Sequence, residues 1–186
     1  NVSDNCLIKV RDHDNTCIND VSDAVFSIVP PTPVITVTSP TGTLYAGNST
    51  TINWNSSYLD SDFVKIEYSL DNGNSWTEIS SLTEDDGSYS WALPEETSDE
   101  CLVKVSEYGN PTVYDISDIN FSIVAPFITV NTPNGGESYE GCEEMNISWS
   151  RGGVSKYYNI EYSHNGGADW NVIYHYYYTT GNRYTW

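Results

Sequence analysis

Apolar and polar residues alternate along several short stretches of this chain. In residues 63–70, Val64, Ile66 and Tyr68 fall on one side of an extended strand, and charged residues alternate with them on the other. Such a strand has one buried and one wet face. Together with stretches bounded by turn residues, the pattern predicts seven strands, at 34–39, 50–55, 63–70, 76–80, 88–93, 101–108 and 118–124. Seven short strands at this spacing indicate an all-β sandwich.

The strand pattern repeats with a period of 95 residues. The segment that opens with Cys6 returns from Cys101, and the segment that closes with Trp91 returns at Trp186, so both intervals are 95 residues. Aligned without gaps over 24 residues from the two cysteines, 12 positions are identical. Such self-similarity indicates tandem domains.

The period divides the chain into three portions. Residues 1–29 are predicted to be the C-terminal part of a first repeat, 30–126 a complete repeat with its linkers, and 127–186 the N-terminal part of a third repeat. Prolines at 30, 31 and 33 predict a short stiff linker, because proline fixes φ. An odd number of strands places entry and exit at opposite ends of a sandwich. Two periods span 2 × 95 = 190 residues, four more than the 186 of the chain, so we expect a segment of a continuous repeating polymer.

Composition supports the all-β class and narrows the partners. The chain contains 15 Tyr and 6 Trp but 1 Met, so residues that favour strands outnumber those that favour helices. Its 26 acidic and 7 basic side chains give a net charge of −19. Because a nucleic-acid interface needs a basic face, we expect no nucleic-acid partner. No stretch of 18 apolar residues occurs, so we predict no membrane span in this segment.

Two copies of a turn motif occupy equivalent places in successive repeats. Ser-Leu-Asp-Asn-Gly-Asn-Ser-Trp at 69–76 and Ser-His-Asn-Gly-Gly-Ala-Asp-Trp at 163–170 resemble the Asp-box hairpin of sialidases and many other β proteins. We expect the third residue to cap the turn, the glycine to supply positive φ, and the tryptophan to pack on the hairpin. These residues are Asp71, Gly73 and Trp76 in the first copy and Asn165, Gly167 and Trp170 in the second. The motif therefore predicts a structural turn, and it gives no indication of catalytic residues.

The four cysteines leave two disulfide arrangements open. Cys6 and Cys101 hold equivalent positions at the start of the sixth strand, whereas Cys142 precedes the second strand of the third repeat. Those two strands start at the same end of a sandwich, so Cys142 would pair with a Cys6 equivalent in a neighbouring repeat or copy. A bridge from Cys6 to Cys17 across one hairpin is the competing arrangement. Either bridge implies an oxidising compartment.

Acidic loops are the metal candidates that the sequence offers. Glu84, Asp85 and Asp86 form one loop, and oxygen-rich loops at domain ends can bind Ca²⁺. Their spacing matches no known calcium loop, so a solvated loop is favoured and no cofactor is predicted. Paired carboxylates also serve glycosidases, but the third repeat has Tyr-Thr-Thr at 178–180 instead. No set of catalytic residues recurs, and we predict that the segment is not an enzyme.

A run of aromatic residues is confined to the third repeat. Residues 174–178 read Tyr-His-Tyr-Tyr-Tyr where the middle repeat has Ser-Ser-Leu-Thr-Glu at 80–84. If the run is extended, Tyr174, Tyr176 and Tyr178 share one face, and exposed aromatic residues indicate contact. Sugar stacking and subunit packing are both open, as is a plain edge-strand surface.

Taken together, the motifs resemble a known class of repeat. The middle repeat contains Val-Thr-Ser-Pro-x-Gly, Ile-x-Trp, Lys-Ile-Glu-Tyr-Ser, Asp-Asn-Gly-Asn-Ser-Trp and Cys-Leu-Val-Lys-Val in succession. This set closely resembles the tandem Ig-like repeats of large secreted and cell-surface proteins of Bacteroidetes-type bacteria, which use type IX export. It is also similar to the related Ser/Thr-rich, GPI-anchored cell-wall family of fungi. The resemblance implies tandem Ig-like or fibronectin-III-like seven-strand sandwiches and an extracellular or cell-surface location, and it assigns no functional residues.

These observations favour a secreted structural and adhesive protein. Its head-to-tail domains are expected to form an extracellular filament or surface array, with other copies of the chain or adjacent repeats as partners. The alternative is a non-catalytic spacer or carbohydrate-binding module of a large secreted hydrolase, for which glycans would be the partners.

Overall fold

The computed structural model describes residues 2–186, and every regular element in that range is a β-strand. The first portion (residues 2–29) contains β1 (Ser3–Cys6), β2 (Lys9–Arg11), β3 (Asn19–Val21) and β4 (Phe26–Ile28). The middle repeat (30–126) contains β5 (Val34–Ser39), β6 (Thr43–Tyr45), β7 (Ser49–Ser57), β8 (Phe63–Ser69), β9 (Thr77–Glu84), β10 (Ser88–Ala92), β11 (Ser98–Glu107), β12 (Tyr114–Ile116) and β13 (Phe121–Val124). The third portion (127–186) contains β14 (Phe127–Thr132), β15 (Asn146–Gly152), β16 (Tyr157–Tyr162), β17 (Asn171–Tyr178) and β18 (Arg183–Thr185).

The middle repeat is a sandwich of two sheets. One sheet has the strand order β10-β7-β5, and the other has β6-β13-β11-β8-β9, with β12 also paired to β11. These pairs are antiparallel except β13–β6, which is parallel. The predicted all-β sandwich is therefore confirmed, and the Ig-like assignment stays a prediction.

The core of the middle repeat lies between these sheets. In β8, Val64 and Ile66 are fully buried, while Lys65 and Glu67 remain partly exposed. The other buried members are Ile35, Val37, Ala46, Ile52, Trp54, Trp91, Leu93, Cys101, Val103, Val105, Phe121 and Ile123. Full burial of one large apolar side chain contributes about 1.5–3 kcal/mol. This cluster, drawn from both sheets, is what holds the sandwich together.

Most strands of the middle repeat differ from the sequence prediction at one end or both, and β6, β9 and β12 differ most. Alternation does not predict β6 and β12, because three residues are too few to show a period of two. β9 continues to Glu84, four residues beyond the predicted end at residue 80. The register of β8 and β9 shifts between the pairs Ile66↔Ser80 and Val64↔Thr83. This bulge interrupts the alternation while strand pairing continues past it.

The first portion reproduces the last strands of the middle repeat. β1 pairs with β4 as β11 pairs with β13, and β2 pairs with β3 as β11 pairs with β12. The outer pairs are Ser3↔Ile28 and Cys6↔Phe26 in the first portion, and Ser98↔Ile123 and Cys101↔Phe121 in the middle repeat. Each residue lies 95 positions from its counterpart, so the sequence period is also a structural period.

The third portion contains counterparts of the first strands of the repeat. β14-β15-β18 corresponds to β5-β7-β10, and β16–β17 corresponds to β8–β9. Counterparts lie 95 positions apart for Trp54 and Trp149, and 94 apart for Ile66 and Ile160. Its core is small: the buried residues are Trp149, Tyr158 and Ile160. Within residues 2–186, β16 pairs with β17 on one edge and with no strand on the other.

The middle repeat and the third portion are joined closely. A connection of two residues separates β13 from β14. The Tyr45 ring lies against the backbone of Gly153, where a Cβ would approach Tyr45 Cγ to 2.5 Å. The Asn48 side-chain amide donates a hydrogen bond of 3.1 Å to Gly153 O. Successive units are therefore in direct contact, and the contact requires a residue without a side chain at position 153.

Candidate functional site

One serine and one aspartate hold the first turn motif together. Gly73 N donates to Ser69 Oγ at 2.8 Å, and Ser75 N donates to Asp71 Oδ1 at 2.8 Å. Ser75 Oγ also donates to Asp71 Oδ2 at 2.6 Å. Hydrogen bonds from Ser75 and then Ser69 lower the pKa of Asp71 from 3.8 to about 2. Asp71 caps the turn, and Gly73 adopts φ +84°.

The second turn motif keeps this geometry with exchanged chemistry. Gly167 N donates to Ser163 Oγ at 2.8 Å, and Asp169 N donates to Asn165 Oδ1 at 3.0 Å. Asn165 Nδ2 additionally donates to Asp169 Oδ2 at 2.9 Å. In the first copy the Asp71 carboxylate accepts from the Ser75 hydroxyl. In the second copy the Asn165 side-chain amide donates to the Asp169 carboxylate. In both copies these polar groups satisfy the turn itself.

Sequence reasoning missed a charged cluster beside the first turn motif. Lys104 Nζ lies 2.6 Å from Glu67 Oε2 and 4.4 Å from the centroid of the Trp76 ring. Lys65 Nζ lies 2.8 Å from Glu67 Oε1. Burial would raise the pKa of Glu67, but hydrogen bonds from Lys104 and Lys65 outweigh it and lower that pKa. The sequence does contain a signal for this cluster: Lys65 and Lys104 are the two basic residues within the otherwise acidic residues 30–126.

The structure does not bring Glu84, Asp85 and Asp86 together as calcium ligands. Glu84 ends strand β9 and is not part of the loop. Asp85 accepts hydrogen bonds from Trp54 Nε1 at 2.6 Å and from Ser56 Oγ at 2.5 Å. In the part of the chain that the structure describes, no three His, Cys, Asp or Glu residues form a group that could hold a metal ion. The Asp85 carboxylate instead satisfies polar groups at the edge of the core.

All four cysteines are free thiols in the structure. Cys101 is fully buried, and its Sγ donates to Ser98 O at 3.3 Å. This burial raises the pKa of the Cys101 thiol. Cys6 is partly exposed, whereas Cys17 and Cys142 are exposed. The bridge from Cys6 to Cys17 is thus not formed, and a bridge from Cys142 to a Cys6 equivalent elsewhere stays a prediction.

The tyrosine run does not alternate strictly. β17 uses three residue steps from Tyr174 to Tyr177 where β16 uses two, which is a β-bulge. Tyr176 lies within this bulge and has φ +56°. The expectation that Tyr174, Tyr176 and Tyr178 share one face is therefore wrong, because the bulge shifts the alternation by one residue. The equivalent bulge between β8 and β9 shows that it belongs to the repeat.

The three candidate contact tyrosines have different surroundings. The Tyr174 ring centroid lies 5.4 Å from that of Tyr177, which in turn packs against the small core. Tyr178 packs on Tyr157 with a centroid distance of 5.3 Å. Tyr176 is 78% exposed and is the most exposed of the three. It is the candidate best placed for external contact.

The third portion has an open apolar face. A cavity of about 590 Å³ lies between its two small sheets, lined on one side by Ile147 and Trp149 and on the other by Ile160 and Ile173. The middle repeat covers the corresponding region with β11 and β13. The open face therefore lies where the third portion has no counterparts of those strands.

Neither a protein-family model nor a curated protein matches this chain. Residues 2–186 contain no helix that is long and apolar enough to cross a membrane. Function is therefore inferred from the geometry of the repeats.

Proposed function

We propose that this chain is a non-enzymatic structural and adhesive segment of a secreted or cell-surface protein. In this proposal, Ig-like sandwiches run head to tail as an extracellular filament or surface array. The observation that supports it most directly is the junction between the middle repeat and the third portion. There a connection of two residues and the packing of Tyr45 on Gly153 hold successive units against each other.

The junction has the properties that a load-bearing array needs. A two-residue connection leaves little freedom, whereas a long flexible linker would let units move independently. The hydrogen bond from Asn48 Nδ2 to Gly153 O adds a directional contact to the apolar one. The net charge of −19 makes copies of the chain repel one another, which keeps the protein soluble at high local concentration. These features favour an array of units in fixed contact over domains that move independently.

Two measurements test this proposal. Antibodies against the middle repeat should label intact cells of the source organism, and the native protein should appear as filaments or a surface layer by electron microscopy. Labelling that requires permeabilised cells, or native protein that is dispersed and monomeric, would contradict the proposal.

One observation favours a second candidate, a glycan-binding spacer of a secreted hydrolase. Tyr176 presents an exposed ring on a bulge, and exposed aromatic rings can stack on sugars. Binding on a glycan array that is lost in Tyr176→Ala would support it. Tyr58→Ala is a matched control, because Tyr58 is 67% exposed and has φ +58°. Equal binding by both variants would argue against a sugar site at Tyr176.

A further inference from the structure

We infer that a pocket on the outer face of the middle repeat binds one acidic sugar, a hexuronic acid residue of a glycan. The pocket has a volume of about 230 Å³ and lies over strands β8, β11 and β12. The inference rests on the proposed function and deepens it, because it names the class of ligand that the adhesive segment would hold. All residues that line the pocket lie between positions 65 and 116.

The register of the sheet places a small side chain between two large ones. Ser106 of β11 lies opposite Lys65 of β8 on one side and opposite Tyr114 of β12 on the other. The next residue back along β11, Val105, is fully buried in the core, so Ser106 points to the outer face. Ser106 is only 5% exposed. It therefore forms a floor, and the longer side chains around it form the walls of the pocket.

The two basic residues of the middle repeat meet at this pocket. Residues 30–126 contain 15 acidic and 2 basic side chains, and both lysines line the pocket. Lys65 Nζ lies 2.8 Å from one oxygen of Glu67, and Lys104 Nζ lies 2.6 Å from the other. Two ammonium groups share this one carboxylate, whose two oxygens are both occupied. Their remaining N–H donors suit a ligand that brings its own carboxylate.

The other walls of the pocket suit a sugar ring. Tyr114 is 52% exposed, and Trp76, Pro111 and Ile116 add apolar surface. Such a wall can pack on the C–H groups of a sugar, while its hydroxyl groups bond to a lysine or to the Ser106 hydroxyl. Drug-sized ligands occupy pockets of roughly 300–1,000 Å³. A pocket of about 230 Å³ is smaller, so one ring is a better match than a peptide segment.

Comparison along the chain separates the pocket from the scaffold of the repeat. Three of its residues have counterparts of the same type, since Glu67, Trp76 and Lys104 correspond to Glu161, Trp170 and Lys9. Three others have counterparts of a different type, since Lys65, Ser106 and Tyr114 correspond to Asn159, Arg11 and Asn19. The recurring ion pair and tryptophan serve the sheet itself. The second cation, the small floor and the exposed ring are particular to the middle repeat.

Nuclear magnetic resonance of the isotope-labelled 186-residue chain tests the inference. Methyl glucuronoside should shift the signals of the Trp76 indole N–H and the Ser106 amide in a saturable manner. Methyl glucoside lacks the carboxylate and should bind roughly tenfold more weakly. Absence of these shifts, or equal affinity for the two glycosides, would overturn the inference. Equally tight binding at these signals by acetate, or by an acidic peptide with the sequence of residues 93–100, would overturn the assignment to a sugar.

Lys65→Gln tests the cation that is particular to this pocket. It should weaken glucuronoside binding roughly tenfold, because a charge-assisted hydrogen bond is lost while Lys104 still neutralises Glu67. Lys156→Gln makes the same charge change at an exposed position of the third portion and should leave binding unchanged. Urea denaturation of both variants reports whether the middle repeat stays folded. Equal effects of the two substitutions, or no effect of Lys65→Gln, would overturn the inference.

Ser106→Arg distinguishes a shaped pocket from general attraction between charges. The counterpart Arg11 shows that arginine is used at this place on the outer face. The substitution fills the floor of the pocket and also adds a positive charge, and we expect binding to be lost. Tyr114→Ala removes an exposed wall without any change in charge and should also weaken binding. Undiminished binding by either folded variant would overturn the inference.

Glu78→Gln should strengthen binding of the glucuronoside. Glu78 Oε2 lies 3.6 Å from Lys65 Nζ, and its side chain is 52% exposed, so it competes with a ligand carboxylate for that ammonium group. Its removal should raise the affinity for methyl glucuronoside severalfold and leave that for methyl glucoside unchanged. Glu84→Gln is the matched control, because Glu84 is exposed at the other end of β9. Equal gains in both variants would assign the effect to total charge and contradict a carboxylate site at Lys65.

Failure of this inference and failure of the proposed function give different results. Filaments or a surface layer formed by a protein that does not bind methyl glucuronoside would leave the proposed array standing and refute the sugar site. Binding that follows the variants above, in a protein that is not displayed on cells, would refute the proposed function alone.

Discussion

Trp54 Nε1 donates a hydrogen bond of 2.6 Å to Asp85 Oδ1, linking β7 of one sheet to the residue that follows β9 of the other. Trp54 is 3% exposed, so its N–H has almost no access to water. Asp85 also accepts a hydrogen bond from Ser56 Oγ. One carboxylate therefore satisfies two polar groups and connects the sheets. The counterpart Trp149 has a buried Nε1 with no partner in the described part of the chain.

Replacement of Asp85 by alanine should destabilise the middle repeat. A buried donor left unpaired costs about 1–3 kcal/mol, and urea denaturation should show a loss of that size in the free energy of unfolding. Asp85→Asn keeps an acceptor oxygen and should lose less. Asp86→Ala is the control, because Asp86 accepts a local bond from Ser88 N. Equal losses in the two alanine variants would argue against the inter-sheet role of Asp85.

Acid should weaken the middle repeat through the first turn motif. Asp71 has a pKa of about 2 in the folded chain against an ordinary value of 3.8, first because of the hydrogen bond from Ser75 Oγ. Since the folded pKa is the lower one, the carboxylate stabilises the fold above about pH 4. That contribution is lost as the pH falls from about 4 through about 2. Thermal unfolding measured across this window should show the loss.

Asp71→Asn provides the control for this acid dependence, because the second motif already uses Asn165 at the same place. The substitution removes the titrating group and keeps an Oδ1 acceptor for Ser75 N. We expect a shallower fall in melting temperature between about pH 4 and about pH 2, with other carboxylates supplying the remainder. Identical pH profiles for the variant and the unaltered chain would show that Asp71 is not responsible.

Alanine at position 153 should open the junction between the middle repeat and the third portion. A Cβ there would lie 2.5 Å from Tyr45 Cβ and Cγ, a separation that forces the ring or the backbone to move. The bond from Asn48 to Gly153 O would be lost with that movement. Small-angle X-ray scattering should show a broader distribution of interatomic distances, while unfolding of the middle repeat is unchanged.

Gly166→Ala is the matched control for this prediction. Gly153 has φ +69° and Gly166 has φ +71°, so alanine strains both backbones to a similar degree. No atom lies within 4 Å of a Cβ at Gly166. Gly166→Ala should therefore leave the scattering profile as it is. The same broadening in both variants would mean that backbone strain, and not the Tyr45 contact, explains the change.

Alternation of apolar and polar residues predicts the strands that contribute side chains to the core. β5 has both of its predicted ends, because Ile35 and Val37 alternate with polar neighbours over its whole length. The 95-residue period anticipates the pairing of β1 with β4, since that pairing repeats the one between β11 and β13. Local alternation is thus sufficient to predict the all-β class. The 95-residue period is sufficient to predict which residues of successive repeats occupy equivalent positions.

Contacts between distant strands needed the register, which alternation does not supply. The salt bridge between Lys104 and Glu67 depends on the pairing of β11 with β8. The environment of Tyr174 depends on two register shifts between β16 and β17, one on each side of its pairing with Ile160, and a strict period of two allows for neither. Adjacency in the sequence groups Asp85 with Glu84 and Asp86, whereas its hydrogen bond from Trp54 Nε1 depends on how the two sheets pack.

Cys101 should resist alkylation in the folded chain although Cys17 and Cys142 react. The Cys101 thiol is fully buried, and its raised pKa, caused first by desolvation, keeps it protonated. Because the thiolate is the reactive form, both burial and protonation slow the reaction. Iodoacetamide labelling followed by peptide mass spectrometry should find Cys101 unmodified at pH 8 and modified after addition of urea. Labelling of Cys101 at the rate of Cys17 in the native chain would contradict the packing of β11 between β8 and β13.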